Sequence, residues 1–118
     1  MVGLGMKVTR DEKNGIPILR LEGEFDSFET ELVREGFEKI VSEGKSNVVM
    51  DLGEMTFANS TTIAFLITAQ KRVGAMGGRM VLAQPRDFIR KTLRTLGLDQ
   101  VFPIADSVDA ALSSLKSR

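Results

Sequence analysis

The run Val48-Val49-Met50-Asp51-Leu52 is followed a few residues later by Asn59-Ser60-Thr61-Thr62, and then by Ile63, Leu66, Ile67 and Val73 at helical spacing. No other part of the chain constrains the fold as tightly. A short, nearly continuous apolar run reads as a buried strand, and apolar residues recurring at every third or fourth position read as one face of a helix. Small polar residues just ahead of such a face mark where the helix begins. The chain therefore runs strand, short loop, helix, and the first turn of that helix is crowded with hydroxyls and one amide.

The same alternation continues on both sides. Met6 to Arg10 alternates apolar and polar residues, and Asn14-Gly15 then supplies a hairpin turn, because both accept the positive φ that a tight turn needs. In Ile16 to Phe25, Arg20, Glu22 and Glu24 point one way while Leu19, Leu21 and Phe25 point the other, as in a sheet with one wet and one buried face. Asp26-Ser27-Phe28-Glu29 has the form of a capping box. It opens a helix whose apolar stripe is Phe28, Leu32, Val33, Phe37, Ile40 and Val41, and Gly44 suits the left-handed residue that ends it. The third strand reads from Asn47 to Leu52, its helix runs to about Met76, and Arg79 to Ala83 make a fourth strand. Pro85 suits the first turn of another helix, with Phe88 or Ile89, Leu93 and Leu96 inward and Gly97 at its end. Val101 to Ile104 reads as a short strand that Pro103 confines to an edge. Asp106 or Ser107 then caps a last helix with Val108, Ala111, Leu112 and Leu115 inward.

The order ββαβαβαβα predicts an α/β fold, one domain over residues 1–118. Its sheet is expected to be mixed and mostly parallel, with four to five strands and the helices packed on one face. Right-handed crossovers between neighbouring strands return every helix to the same side.

Composition narrows the chemistry. Sixteen basic and sixteen acidic side chains cancel, so net charge supplies no long-range attraction to nucleic acid or to an anionic membrane. There is no cysteine, which removes disulfides, thiolate metal sites and a cysteine nucleophile. There is no histidine either, which removes the commonest general base, the commonest metal ligand and every Ser-His-acid triad. No segment pairs a basic region with an apolar core in the manner of a signal peptide, and no apolar run approaches the ~20 residues needed to cross a bilayer. The expectation is a soluble cytoplasmic domain that is not an enzyme, with no catalytic residues, no metal site and no cofactor. Direct nucleic-acid binding and membrane insertion are not expected.

Several features resolve to ordinary roles. Gly74-Ala75-Met76-Gly77-Gly78 follows a helix and precedes a strand, the reverse of a phosphate-cradling loop, and reads as a helix stop. Asp26, Asp51, Glu54, Asp106 and Asp109 lie near strand ends without the spacing of a cation-binding loop. Arg86, Arg90 and Arg94 recur along one helix, with Lys91 beside them and Lys71, Arg72 and Arg79 as further candidates. Without interleaved aromatics this basic row reads as a solvated face, and second as a surface for an acidic partner.

Ser60 stands apart from these. A serine at a helix start is most often only a cap, worth about 0.5–2 kcal/mol. Asn59, Ser60, Thr61 and Thr62 cannot all cap one helix, and the surplus hydroxyls fall at the C-terminal edge of a parallel strand, where α/β sheets place their sites. A phosphoryl group there adds about −1.5 to −2 charge. The helix dipole and free backbone N–H groups can hold that charge without refolding the domain. If the second and third strands are neighbours, Asp26 lies at the same end of the sheet.

Asp51-Leu52 through Phe57, followed by Asn59-Ser60-Thr61-Thr62-Ile63, resembles the signature of anti-sigma factor antagonists, the free-standing members of the STAS domain family. In that family a D-L-x-x-V-x-F strand and loop leads to D-S-[ST]-G-[LI] at a helix start. The resemblance continues through Lys71-Arg72, Gly77 to Leu82 and Leu96 to Phe102, and so covers essentially the whole chain. It implies a sheet with helices on one side and a regulatory switch in place of an enzyme. It also implies that Ser60 is phosphorylated by a partner that is both anti-sigma factor and serine kinase, with ATP bound in the partner. The unphosphorylated protein then holds that partner and frees a sigma factor, and a separate serine phosphatase resets the switch. Asp26, Ala58, Asn59, Thr61 and Thr62 are the implied partner-binding residues. Phe65 is read as core, with docking as the lesser alternative. Two positions depart from the signature: Asn59 replaces an aspartate, and Thr62 replaces a glycine with a branched side chain. The alternative to a phospho-switch is a STAS interaction module that is not phosphorylated, a scaffold or a subunit of a signalling or transport complex.

Overall fold

A computed structural model describes residues 6–116. In chain order the elements are β1 (Met6–Lys13), β2 (Ile16–Phe25), α1 (Ser27–Ser42), β3 (Val48–Ala58), α2 (Ser60–Ala75), β4 (Met80–Ala83), α3 (Asp87–Thr95), β5 (Ile104–Ala105) and α4 (Val108–Lys116). The sheet keeps sequence order, β1-β2-β3-β4-β5, with β1 antiparallel to β2 and every other pairing parallel. The hairpin turns at Asn14 and Gly15, both at positive φ (56° and 78°) as their types predict.

One face of the sheet carries the larger core. Leu19, Leu21 and Phe25 of β2, Val48, Met50 and Leu52 of β3 and Met80 and Leu82 of β4 pack there against Val33, Phe37 and Ile40 of α1. Phe65, Leu66, Ala69 and Val73 of α2, with Ile89 and Leu93 of α3, complete that layer. Gly78 lets the turn after α2 lie against the β3 approach: a Cβ there would overlap the Ser46 carbonyl.

The expectation that all helices share one face fails for α4. Its Ala111, Leu112 and Leu115 cover Ile16, Ile18, Val49, Val81 and Ala83 on the opposite side. The crossover rule governs helices that join two parallel strands. α4 joins none, and β3 and β4 are apolar on both faces, so their second face needs a cover. That cover reaches only the lower half of the sheet, and Arg20 and Glu24 of β2 remain exposed above it.

Boundaries moved as well. β3 continues through residues read as loop and ends at Ala58, one position before a helix cap. β4 meets it only over Val48 to Asp51, whereas β2 accompanies it to Phe25↔Ala58. The β2–β3 ribbon therefore overhangs β4 by roughly 20 Å at ~3.3 Å per residue. Its register shifts twice, between Arg20 and Glu22 and between Gly23 and Glu24. Such bulges bend and twist the paired strands. β5 shrinks to Ile104–Ala105, and Pro85 lies ahead of α3, whose N-cap position is Arg86. Phe28 and Leu96, expected inward, are exposed, and of Phe88 and Ile89 it is Ile89 that turns inward.

Candidate functional site

The tip of the overhanging ribbon carries two helix starts side by side. Phe25 and Ala58 end level in the ladder, and the next residue of each chain segment caps a helix. For α1 the capping box is complete: Asp26 Oδ1 accepts from Phe28 N at 3.0 Å, and Asp26 N donates to Glu29 Oε1 at 3.1 Å. For α2 the cap is Asn59, extended at φ −99° and ψ −175°, whose Oδ1 accepts from Thr62 N at 3.1 Å. Asn59 N donates back to the Phe25 carbonyl at 3.2 Å and ties the two starts together.

Beneath them lies a sealed hydroxyl pair. Thr30 and Thr62 are 0% and 1% exposed, with their Oγ1 atoms 2.9 Å apart. Thr30 Oγ1 donates to the Asp26 carbonyl at 2.7 Å, and Thr62 Oγ1 reaches the Phe25 carbonyl at 3.1 Å and Asn59 Oδ1 at 3.3 Å. Nearer the surface, Ser27 Oγ donates to Thr61 Oγ1 at 3.2 Å.

The four residues at the start of α2 thus have different fates. Asn59 caps, Thr61 is half-buried and accepts a hydrogen bond from Ser27 Oγ, and Ala58 ahead of them is half-buried. Thr62 is not a surface residue: it points inward, and its hydroxyl is consumed by Thr30 and two oxygens of the strand end and cap. The expectation of a partner-facing Thr62 is corrected accordingly. Ser60 alone is exposed at the first helical position, and its hydroxyl has no hydrogen-bond partner among the described residues. The first turn of α2 holds no acid, in contrast to Glu29, Asp87 and Asp109 in the other three helices, so its positive dipole end is uncompensated.

Asp26 is exposed beside this surface. The hydrogen bond it shares with the Glu29 side chain, together with the N–H groups of Phe28 and Glu29, holds its carboxyl below the usual range. Phe65 is core, stacked edge-on to Phe37 at 5.7 Å with the Arg34 guanidinium 5.1 Å over its ring. Asp51, although buried, is fully engaged by Arg20 Nε (3.1 Å), Gln84 Nε2 (2.9 Å) and Gly53 N (3.0 Å). The arginine row is partly committed: Arg86 Nε bonds the Gly53 carbonyl, and Arg90 bonds the Pro85 carbonyl and Asp106. Among the described residues no group of three or more His, Cys, Asp or Glu side chains is arranged to hold a metal ion. No described helix is long and apolar enough to cross a membrane.

Three residues of the tip escaped the sequence pattern. Thr30 carries no local signal, since its role depends on a neighbour 32 positions away. Phe28 matched the helical stripe yet lies in the first turn, outside the packed layer, and Phe57 fell in a segment read as loop.

Residues 7–111 match the family model described as the STAS domain, and the chain belongs to that family. It is 28% identical over 112 residues to BtrV of Bordetella bronchiseptica, proposed to be an anti-sigma factor antagonist, covering 95% of this chain and 97% of that one. It is 23% identical over 114 residues to the anti-sigma F factor antagonist of Paenibacillus polymyxa, covering 96% and 97%. Among solved structures, the anti-sigma factor antagonist SpoIIAA in its unphosphorylated form superposes with a TM-score of 0.82 at 17% identity, over 95% of this chain and 98% of that one. The phosphorylated form of SpoIIAA, a Bacillus cell fate determinant, gives 0.76 at 18% identity, over 95% and 100%. A sulfate transporter family protein from Wolinella succinogenes gives 0.77 at 17% identity, over 89% and 88%. Likeness at these identities establishes the fold.

Proposed function

We propose that this protein is an anti-sigma factor antagonist switched by phosphorylation of Ser60. The observation that carries the reading is the division of labour at the start of α2. Asn59 caps the helix, Thr61 and Thr62 are engaged, and the Ser60 hydroxyl is left exposed and unpartnered among the described residues. A hydroxyl with no structural duty can be modified without loss of the fold.

The unphosphorylated protein binds an anti-sigma factor through Asp26, Ala58, Asn59 and Thr61, and a sigma factor is released. The same partner, holding ATP, is the kinase. Ser60 Oγ attacks the γ-phosphorus, the new Oγ–P bond forms as the β,γ-bridging P–O bond breaks, ADP leaves, and the hydroxyl proton passes to a base of the partner. The phosphoserine brings about −1.5 to −2 charge to the end of α2, where the uncompensated dipole accommodates it. Re-docking then demands desolvation of a dianion, a cost that an unpaired buried charge does not recover. A serine phosphatase restores the hydroxyl. Two of the relatives are named for anti-sigma antagonism, and the related fold of SpoIIAA exists in both phosphorylation states, which supports the reading.

The test is incubation with ATP and the anti-sigma kinase domains of the source genome, followed by mapping of the modified residue by mass spectrometry. Phosphate on Ser60, absent in Ser60→Ala, is expected. Its absence, with the same kinases active on another antagonist, favours the second reading, a constitutive STAS interaction module. The fold shared with a sulfate transporter family protein supports that alternative.

A further inference from the structure

We propose that Asn59 holds a phosphoryl group on Ser60, donating to it from the side-chain NH2 that the network beneath the helix start leaves without an acceptor. The proposal rests on the reading of Ser60 as the phosphoacceptor and assigns the residue that stabilises the modified state.

The orientation of the Asn59 carboxamide is fixed by its neighbours. Oδ1 accepts from Thr62 N at 3.1 Å and lies 3.3 Å from Thr62 Oγ1. A backbone N–H can only donate, so exchanging the two ends of the amide would set Nδ2 against it, donor to donor. Thr62 cannot swing aside to relieve that conflict. It is 1% exposed, and its hydroxyl is held by the Phe25 carbonyl at 3.1 Å and Thr30 Oγ1 at 2.9 Å. The backbone of the cap is tied as well, through Asn59 N and the Phe25 carbonyl at 3.2 Å. Asn59 is therefore anchored at its backbone and at Oδ1. Its Nδ2 keeps both N–H donors, with no acceptor among the described residues.

The residue that follows is Ser60, exposed and itself unpartnered among the described residues. The N–H groups of Ser60 and Thr61 lie in the first turn, where an α-helix offers them no acceptor. No side chain in that turn is acidic. The start of α1 is built the other way, with Asp26 as a charged cap and Glu29 closing the box. One helix start thus carries its own negative charge, while the other has a neutral cap and donors to spare. Spare donors and a missing negative charge are what a phosphate dianion complements.

Aspartate would cap α2 as well as asparagine does. Its second oxygen would stand in place of Nδ2 and set a further negative charge beside those of the phosphate. The charged side chains of the paired strand end and the α1 start are Glu24, Asp26 and Glu29, all of which oppose a phosphate. A donor at Asn59 offsets that opposition. It lowers the free energy of the phosphorylated form and favours the fully ionised phosphate, because a hydrogen bond to the charged form stabilises that form.

The experiment installs phosphoserine at position 60 during translation, so that it needs no kinase. Phosphorus NMR then follows the second ionisation of the phosphate, which falls at about pH 6 in an unperturbed phosphoserine. The parent is compared with Asn59→Ser, which caps without an NH2, and with Asn59→Asp, which caps with a charge. Unmodified forms of all three are checked for matching Tm. The phosphate is expected to ionise about 0.3 pH unit higher in Asn59→Ser than in the parent, and about 1 unit higher in Asn59→Asp. The side-chain NH2 signals of Asn59 in nitrogen-labelled protein are expected to move downfield when the phosphate is present. Equal ionisation in all three, with unmoved NH2 signals, overturns the proposal. A parent that matches Asn59→Ser while Asn59→Asp alone differs overturns it too, since charge by itself then accounts for the effect. Kinases that leave Ser60 unmodified overturn the underlying switch, a failure that the translated phosphoserine keeps separate from the behaviour of Asn59.

Discussion

Thr62 Oγ1 lies 2.9 Å from Thr30 Oγ1, sealed from solvent between the first turns of α1 and α2. This contact joins the two helix starts that flank Ser60, and it occupies the position where the family signature has glycine. Thr62→Val keeps the shape and removes the donor, and is expected to destabilise the fold by about 1–2 kcal/mol. Thr62→Ser should restore most of that loss. Because both residues serve one network, Thr30→Val and Thr62→Val together should cost less than the sum of the single changes. Urea unfolding of the parent and the four variants measures each quantity.

Ser60→Ala and Asn59→Ala should separate modification from capping. Asn59 holds the cap hydrogen bond, so its truncation is expected to cost about 1 kcal/mol. Ser60→Ala removes an exposed, unpartnered hydroxyl and should change stability by no more than about 0.5 kcal/mol. A large loss of Tm in Ser60→Ala would show that its hydroxyl has a structural duty.

Two glycines predict opposite signs for the same substitution. At Gly78 a Cβ would overlap the Ser46 carbonyl, so Gly78→Ala must displace backbone and is expected to cost about 1–3 kcal/mol. Gly74 lies inside α2 with open space around it. Gly74→Ala should stabilise by about 0.5–1 kcal/mol through helix propensity. Thermal unfolding of the two variants decides.

Acid sensitivity follows from Asp26 and Glu43. Asp26 is held low by its hydrogen bond with Glu29 and nearby N–H groups, and Glu43 by its hydrogen bonds with Arg10. A depressed carboxyl contributes stability that is present above its unfolded pKa, about 4. That contribution is lost as pH falls through the lower folded value. Asp26→Asn keeps an N-cap oxygen but cannot titrate, and Glu43→Gln removes the Arg10 pair. Both variants should show a shallower fall of Tm between neutral pH and strong acid than the parent, as differential scanning calorimetry would record.

Local features of the fold were legible because their causes are local. Asp26-Ser27-Phe28-Glu29 makes the capping box it spells, Asn14-Gly15 makes the hairpin turn, and Gly44 and Gly97 take the positive φ that ends a helix. Ser107 Oγ accepts from Ala110 N as the cap of α4. The apolar runs of β2, β3 and β4 likewise report buried strands, whatever they pack against.

The sequence by itself therefore determined the alternation of strands and helices, their caps, and a helix start over-supplied with hydroxyls. Tertiary structure decided which of those hydroxyls is free. Thr61 and Thr62 are spent on Ser27, Thr30 and the Phe25 carbonyl, partners more than 30 positions away that only the β2–β3 pairing brings near. It also decided that α4 crosses to the other face and that Phe28 and Phe57 stay in solvent. Periodicity reports that a side chain is apolar, whereas its burial depends on whether another element reaches it. At the overhanging tip no other described element does, and Ser60 is exposed there.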